Sequence, residues 1–138
     1  MKRTVRIGTR GSRLAVWQAE YVRDLIEKEN PEINCEIITI QTSGDRLLGR
    51  SLSEIGGKGL FVKELDRALL DGRTDLSVHS LKDMPSVIPK ELPVLAYSKR
   101  EDPRDALILR SGIHENEIRV IATSSVRRGV QLQSLYPG

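Results

Sequence analysis

The chain is poor in aromatic residues (4%), holds one cysteine and two histidines, and carries a net charge of only +3. Each shortage removes a class of function. A single cysteine, Cys35, cannot build an internal disulfide framework and fits a reducing cytosol, so a cytoplasmic location is expected. With it, His79 and His114 make no recognisable metal set, and no metal is expected. Nucleic-acid binders cluster their cations and interleave aromatics that stack on bases. Here 22 Lys and Arg are spread among 19 Asp and Glu, so no nucleic-acid partner is expected. No apolar run approaches bilayer length, and the N-terminus enters a strand pattern with no secretory core, so neither membrane nor leader is expected. A dinucleotide fold would need a glycine fingerprint after the first strand, and there is none.

What remains is 138 residues, 38% hydrophobic and 30% charged, enough for one domain or one domain plus part of another. Thr4–Gly8 reads as a strand, followed by a glycine turn. Ser12 is an N-cap for a helix from Arg13 to about Asn30, stopped by Pro31. Leu14, Trp17, Tyr21 and Leu25, widened by Ala15, Val22 and Ile26, predict a stripe that packs on a sheet. Ile33–Thr42 reads as a central parallel strand, and Cys35 within it as a small buried hydrophobe. A long glycine-punctuated loop then ends in Gly56-Gly57-Lys58-Gly59, which lacks the spacing of a phosphate loop. Leu60–Leu70 is a second amphipathic helix with Gly72 at its C′ position. Strands are predicted at Leu76–His79, Val94–Tyr97, Ala106–Leu109 and Arg119–Ala122, with a hinge at Lys99–Pro103 and a last helix through Gln131, Leu132 and Leu135.

The stretch from Leu76 to Pro85 organises the rest. A short buried strand runs into a loop carrying Lys82 and Asp83 side by side, where an open α/β sheet binds ligands. The alternative is a solvated loop with idle charges. His79 reads as a hydrogen-bonded structural histidine rather than a base. Two further strand ends repeat one logic. Ser12 caps a helix between Arg10 and Arg13, and Thr123-Ser124-Ser125 opens a helix with Arg127 and Arg128 in its first turn. Arginine at the positive end of a helix is disfavoured unless something negative binds there. Its planar fork suits carboxylates. A plain cap with surface arginines remains the other reading of the first site.

Arg6-Ile7-Gly8-Thr9-Arg10-Gly11-Ser12 with Leu14, Ala15 and Gln18, then Gly59–Glu64, Val78–Asp83 and Thr123–Arg128, together resemble the porphobilinogen deaminase (hydroxymethylbilane synthase) family. Arg100–Ala106 is similar to that family's inter-domain segment. The resemblance covers nearly the whole chain in order. It implies an α/β fold: an open mixed, mostly parallel sheet flanked by helices, like the two-lobed periplasmic-binding-protein fold with the second lobe incomplete. Residues 1–99 would be domain 1 without its returning strand, and 100–138 the hinge and the beginning of domain 2, with domain 3 absent. It implies a transferase of tetrapyrrole biosynthesis that condenses porphobilinogen into hydroxymethylbilane, with polypyrrole intermediates as partners and a monomeric full-length protein.

Residue by residue, Asp83 matches the family's catalytic aspartate. Arg10, Ser12, Lys82, Arg127 and Arg128 match positions that hold acetate and propionate groups. Ser80, Thr123, Ser124 and Ser125 match hydroxyl neighbours of the cleft, and Lys58 a basic residue on a mobile loop. Many fixed cations around one acid suit a growing chain that adds two carboxylates per ring. Two departures stand out. The family's dipyrromethane cofactor sits on a cysteine in its third domain, Cys35 does not match it, and no covalent cofactor and no turnover are expected of this polypeptide alone. Ala122 replaces the usual glycine before Thr-Ser-Ser, which is tolerable where φ stays negative. The competing class is a solute-binding module for small dicarboxylates, in which an acid amid cations would be wasteful.

Overall fold

The computed structural model describes residues 3–46 and 59–136. The chain divides into two compact units, Met1–Tyr97 and Ser98–Gly138. In the first, β1 (Arg3–Arg10) leads into α1 (Arg13–Glu29) and β2 (Ile33–Ile40). A short α2 (Ser43–Arg46), then α3 (Lys63–Leu70) and β3 (Leu76–Ser77), complete it.

The sheet is three-stranded in the order β2-β1-β3, and both pairings are parallel. The expected α/β class holds, while the antiparallel component of a mixed sheet is not seen among the described residues. β1 pairs along its whole length with β2, from Arg3 opposite Ile33 to Arg10 opposite Ile40. β3 touches β1 only at Ile7 and Gly8. Gly8 tolerates this close neighbour because a Cβ there would lie 3.1 Å from both Ser77 and Thr74 side-chain atoms.

The core gathers Ile7, Ala19 and Cys35, with Ile26, Ile37 and Val78 packed against it. Leu65 and Ala68 bury the inner face of α3, and Val62 just before it is buried as well. Ser12 caps α1 as expected, its Oγ accepting from Ala15 N at 3.3 Å. Gly72 takes φ +66 just past α3, the left-handed C′ conformation that favours glycine.

Several expected elements end differently. The Leu14, Trp17, Tyr21 and Leu25 stripe of α1 does not pack on the sheet: all four are exposed, Trp17 by 54%. The buried side is the one around Ala19, with Ile26 of the wider stripe packed on the core; Trp17 and Tyr21 instead stack on each other, ring centroids 5.9 Å apart. β2 stops at Ile40 because Thr42 is recruited to α2, and α3 begins three residues later than Leu60 behind a turn. β3 is two residues long rather than four, although Val78 N still bonds Gly8 O at 3.0 Å.

Val94–Tyr97, Ala106–Leu109 and Arg119–Ala122 form no strand. Their alternation suits a strand, but a strand exists only through a partner's ladder, and none of the described residues supplies one. The second unit holds a 3-10 turn at Glu115–Glu117 and α4 (Val126–Leu135), capped by Ser125 Oγ accepting from Arg128 N at 3.3 Å. No non-glycine residue among those described has positive φ, so Ala122 sits without backbone strain.

Candidate functional site

β1 and β3 run parallel, so their carboxyl ends open on the same edge of the sheet, and the turns leaving them meet there. β1 delivers Arg10 and the cap of α1 delivers Ser12. Beyond β3 the chain turns through Ser80 into the 3-10 turn Leu81–Asp83. Pro85 follows directly and cannot extend a helix, which keeps Lys82 and Asp83 on a tight turn. Together they line a cavity of about 100 Å³, with Gln18 and Phe61 among its other walls. Five of the expected site residues therefore share one pocket: Arg10, Ser12, Ser80, Lys82 and Asp83.

Arg10 is its most constrained member. Its Nε donates to Asp45 Oδ1 at 3.1 Å and its Nη1 lies 3.8 Å from Asp83 Oδ2. The guanidinium also lies over the Phe61 ring, 3.9 Å from the centroid, where the π face favours a cation. Burial pushes the Asp45 carboxyl up, but hydrogen bonds from Arg10 and Thr42 outweigh it and hold it below the usual carboxylate range. Ser80 Oγ donates to Gln18 Oε1 at 2.9 Å, tying the turn after β3 to α1. Lys82 is exposed and makes no ion pair among the described residues.

His79 departs from its expected role. Its imidazole is half-buried, lines the same pocket, and has no hydrogen bond among the described residues. Burial lowers its pKa from 6.5 and Arg10 adds to this, while Asp66 and Asp83 pull the other way without reversing it. Cys35 is buried in β2 and does not line the pocket, and burial, then Glu27, push its thiol up. No cluster of three His, Cys, Asp or Glu suited to a metal ion exists among the described residues.

The other expected residues fall elsewhere. Thr123, Ser124, Ser125, Arg127 and Arg128 belong to the second unit. There Arg128 already has a negative partner: its Nη2 lies 2.7 Å from Asp105 Oδ1, and this bond holds the Asp105 carboxyl below its usual range. Arg127 is exposed with no ion pair among the described residues. Lys58 lies outside the described residues. Sequence reasoning missed Asp45 and Phe61. Only Asp45 had a readable signal, its place three residues after Thr42 in a capping-box spacing.

Residues 5–138 match the family profile described as porphobilinogen deaminase, dipyromethane cofactor binding domain. Porphobilinogen deaminase of Acetivibrio thermocellus is 54% identical over 135 residues, covering 97% of this chain and 46% of that protein. The enzymes of Alkaliphilus oremlandii and Chromobacterium violaceum are 52% and 48% identical over 134 residues each, covering 96% and 95% of this chain and 45% and 43% of theirs. The chain thus spans less than half the length of these relatives. No helix among the described residues is long and apolar enough to cross a membrane. The cation–acid pocket at the sheet edge is thus carried by a chain that belongs to the porphobilinogen deaminase family.

Proposed function

We propose that this chain is the acid-bearing part of a porphobilinogen deaminase, condensing four porphobilinogen molecules head to tail into hydroxymethylbilane with release of ammonia. The observation that carries the proposal is Asp83, held 3.8 Å from Arg10 in a pocket shared with Lys82, on a chain of this family. In each cycle the aminomethyl C–N bond breaks and ammonia leaves. The remaining electron-poor carbon bonds to the free α-carbon of the previous ring, which then loses its proton; water closes the final cycle. Positive charge spreads over a pyrrole ring at each stage, and the Asp83 carboxylate stabilises it from a fixed position. Lys82 and the Ser12 and Ser80 hydroxyls bind the acetate and propionate groups, joined by Arg10; Thr123, Ser124, Ser125, Arg127 and Arg128, on the second unit, are further candidates for carboxylate groups. Lys58 is a further candidate for that role.

Dipyrromethane, when bound, supplies the terminal ring that is extended. The donor set fits it: cations and hydroxyls for its carboxylates around one acid for its ring nitrogens. Cys35, buried and away from the pocket, does not suit its attachment, which on this proposal lies on a cysteine outside this chain. Residues 1–99 then act as the first domain, and 100–138 as hinge and beginning of the second, of a two-lobed periplasmic-binding-protein-like fold. A parallel sheet with charged and hydroxyl side chains lining a pocket beyond its carboxyl ends supports that reading. A monomeric, cytoplasmic enzyme belongs to the same proposal.

The test is Asp83→Asn in the holoenzyme, followed by ammonia release and polypyrrole formation. A fall in kcat of about 10²–10³-fold is expected. Unchanged kcat, or a protein that binds small dicarboxylates and releases no ammonia from porphobilinogen, would sink the proposal. The 138-residue chain by itself is expected to form no polypyrrole.

A further inference from the structure

We infer that Asp45 is a positioning residue that holds Arg10 against Asp83, so that Arg10 serves the acid before it serves a substrate carboxylate. The role in turnover rests on the function proposed above; the geometry does not. Asp45 Oδ1 takes two of the guanidinium's hydrogen bonds, from Nε at 3.1 Å and from Nη2 at 2.5 Å. Those bonds fix the plane of the fork and leave Nη1 as the edge facing Asp83 Oδ2, 3.8 Å away. The Phe61 ring closes one face of that plane.

Asp45 can impose this orientation because it is itself locked. Its Oδ2 accepts from Thr42 N at 3.1 Å and Thr42 Oγ1 at 2.7 Å, and its own N–H donates to Thr42 O at 3.1 Å. Thr42 is fully buried, so the lock is anchored in the core. Phe61 is fixed as well, since its ring occupies the space over Gly44, where a Cβ would come within 2.1 Å. The three charged side chains are mostly screened from solvent, with exposures of 19% for Arg10, 18% for Asp45 and 25% for Asp83. A charge-assisted fork in such surroundings is stronger and more directional than on an open surface.

The charge balance has a consequence for recognition. Two carboxylates share the Arg10 guanidinium, so its cationic charge is largely spent inside the protein. Lys82 is the pocket's other cation, exposed and with no ion pair among the described residues. An arriving carboxylate therefore meets Lys82 as its principal partner, while Arg10 keeps the acid aimed.

The experiment compares wild type, Asp45→Asn and Asp45→Glu in the holoenzyme, reading the Arg10 Nε–H by NMR beside steady-state kinetics. The Arg6 Nε–H, bonded to Asp75 at 3.0 Å, is the internal control. Expected for Asp45→Asn are loss of the slowly exchanging Arg10 signal, an unchanged Arg6 signal, and kcat lower by about 10²-fold with KM little altered. Asp45→Glu should restore part of both. An Arg10 signal that stays protected in Asp45→Asn, or one that vanishes with kcat intact, overturns the inference. Should Asp45→Asn fail to fold, Phe61→Leu decides. With Asp45 in place the Arg10 signal must survive, and its loss means that the ring rather than the carboxylate holds the fork. Full activity in Asp83→Asn would instead count against the proposed function, and the NMR comparison would still judge whether Asp45 holds Arg10.

Discussion

The two units of this chain use the same local devices with opposite results. Each opens a helix with a serine whose hydroxyl accepts from a backbone N–H, and each places arginine in the first turn of that helix. Each also carries short alternating apolar runs. In the first unit all but Val94–Tyr97 pair: β1 lies between β2 and β3, and Ile7 in its middle is fully buried. In the second, Ala106–Leu109 and Arg119–Ala122 form no strand, Ile108 is 91% exposed, and α4 buries no residue. The difference lies in partners rather than in propensity, because a strand's backbone groups and its apolar face both need a neighbour.

That contrast can be tested, beginning with the core. Leu65→Ala in α3 should cost about 2–5 kcal/mol by denaturant unfolding, through lost burial and an unfilled cavity. A cost below that of an exposed site would mean that α3 is not packed as described. Gly44→Ala should cost about 1–3 kcal/mol, because the new methyl must displace the Phe61 ring that supports Arg10. Ser12→Ala should lower the stability of the first unit by about 1 kcal/mol. Ser125→Ala, by contrast, should appear only as faster amide exchange in α4. A shift in the main unfolding transition on Ser125→Ala would break the comparison. Smallest of all, Ile108→Ser should move stability by no more than about 0.5 kcal/mol in either direction.

Acid provides a different probe of the first unit. Arg6 donates from its side chain and its backbone N–H to Asp75, and these bonds pull the Asp75 carboxyl from 3.8 down to about 2. A carboxylate with a depressed folded-state pKa contributes stability in full above its unfolded value, and loses it as pH falls through the folded one. The loss should therefore fall between about pH 4 and about pH 2. Asp75→Asn should flatten that limb, and an unchanged acid limb would show that the pair does not couple to folding.

Much of the site could be read in advance because its geometry is local. A glycine just after the strand and a capping serine fix where Arg10 and Ser12 emerge, and Pro85 fixes where the turn carrying Lys82 and Asp83 stops. Parallel pairing of β1 with β3 then brings the two ends to one edge. What could not be read is how the pocket's charges divide. Asp45 stands 35 positions from Arg10, and its spacing from Thr42 points to a helix start rather than to a cation. His79 alternates like a structural histidine, yet its ring faces the pocket.

By itself, the sequence determined the order β1, α1, β2, α3 and β3 in the first unit, the serine cap of α1, the glycine that ends α3, and the side chains able to meet a carboxylate-rich ligand. These follow from backbone preferences and side-chain chemistry acting over a few residues. Only the tertiary structure decided which apolar stripe of α1 is buried, which alternating runs become strands, and which carboxylates claim Arg10. Those outcomes depend on neighbours distant in the chain, whose approach sets burial, hydrogen-bond satisfaction and charge pairing together.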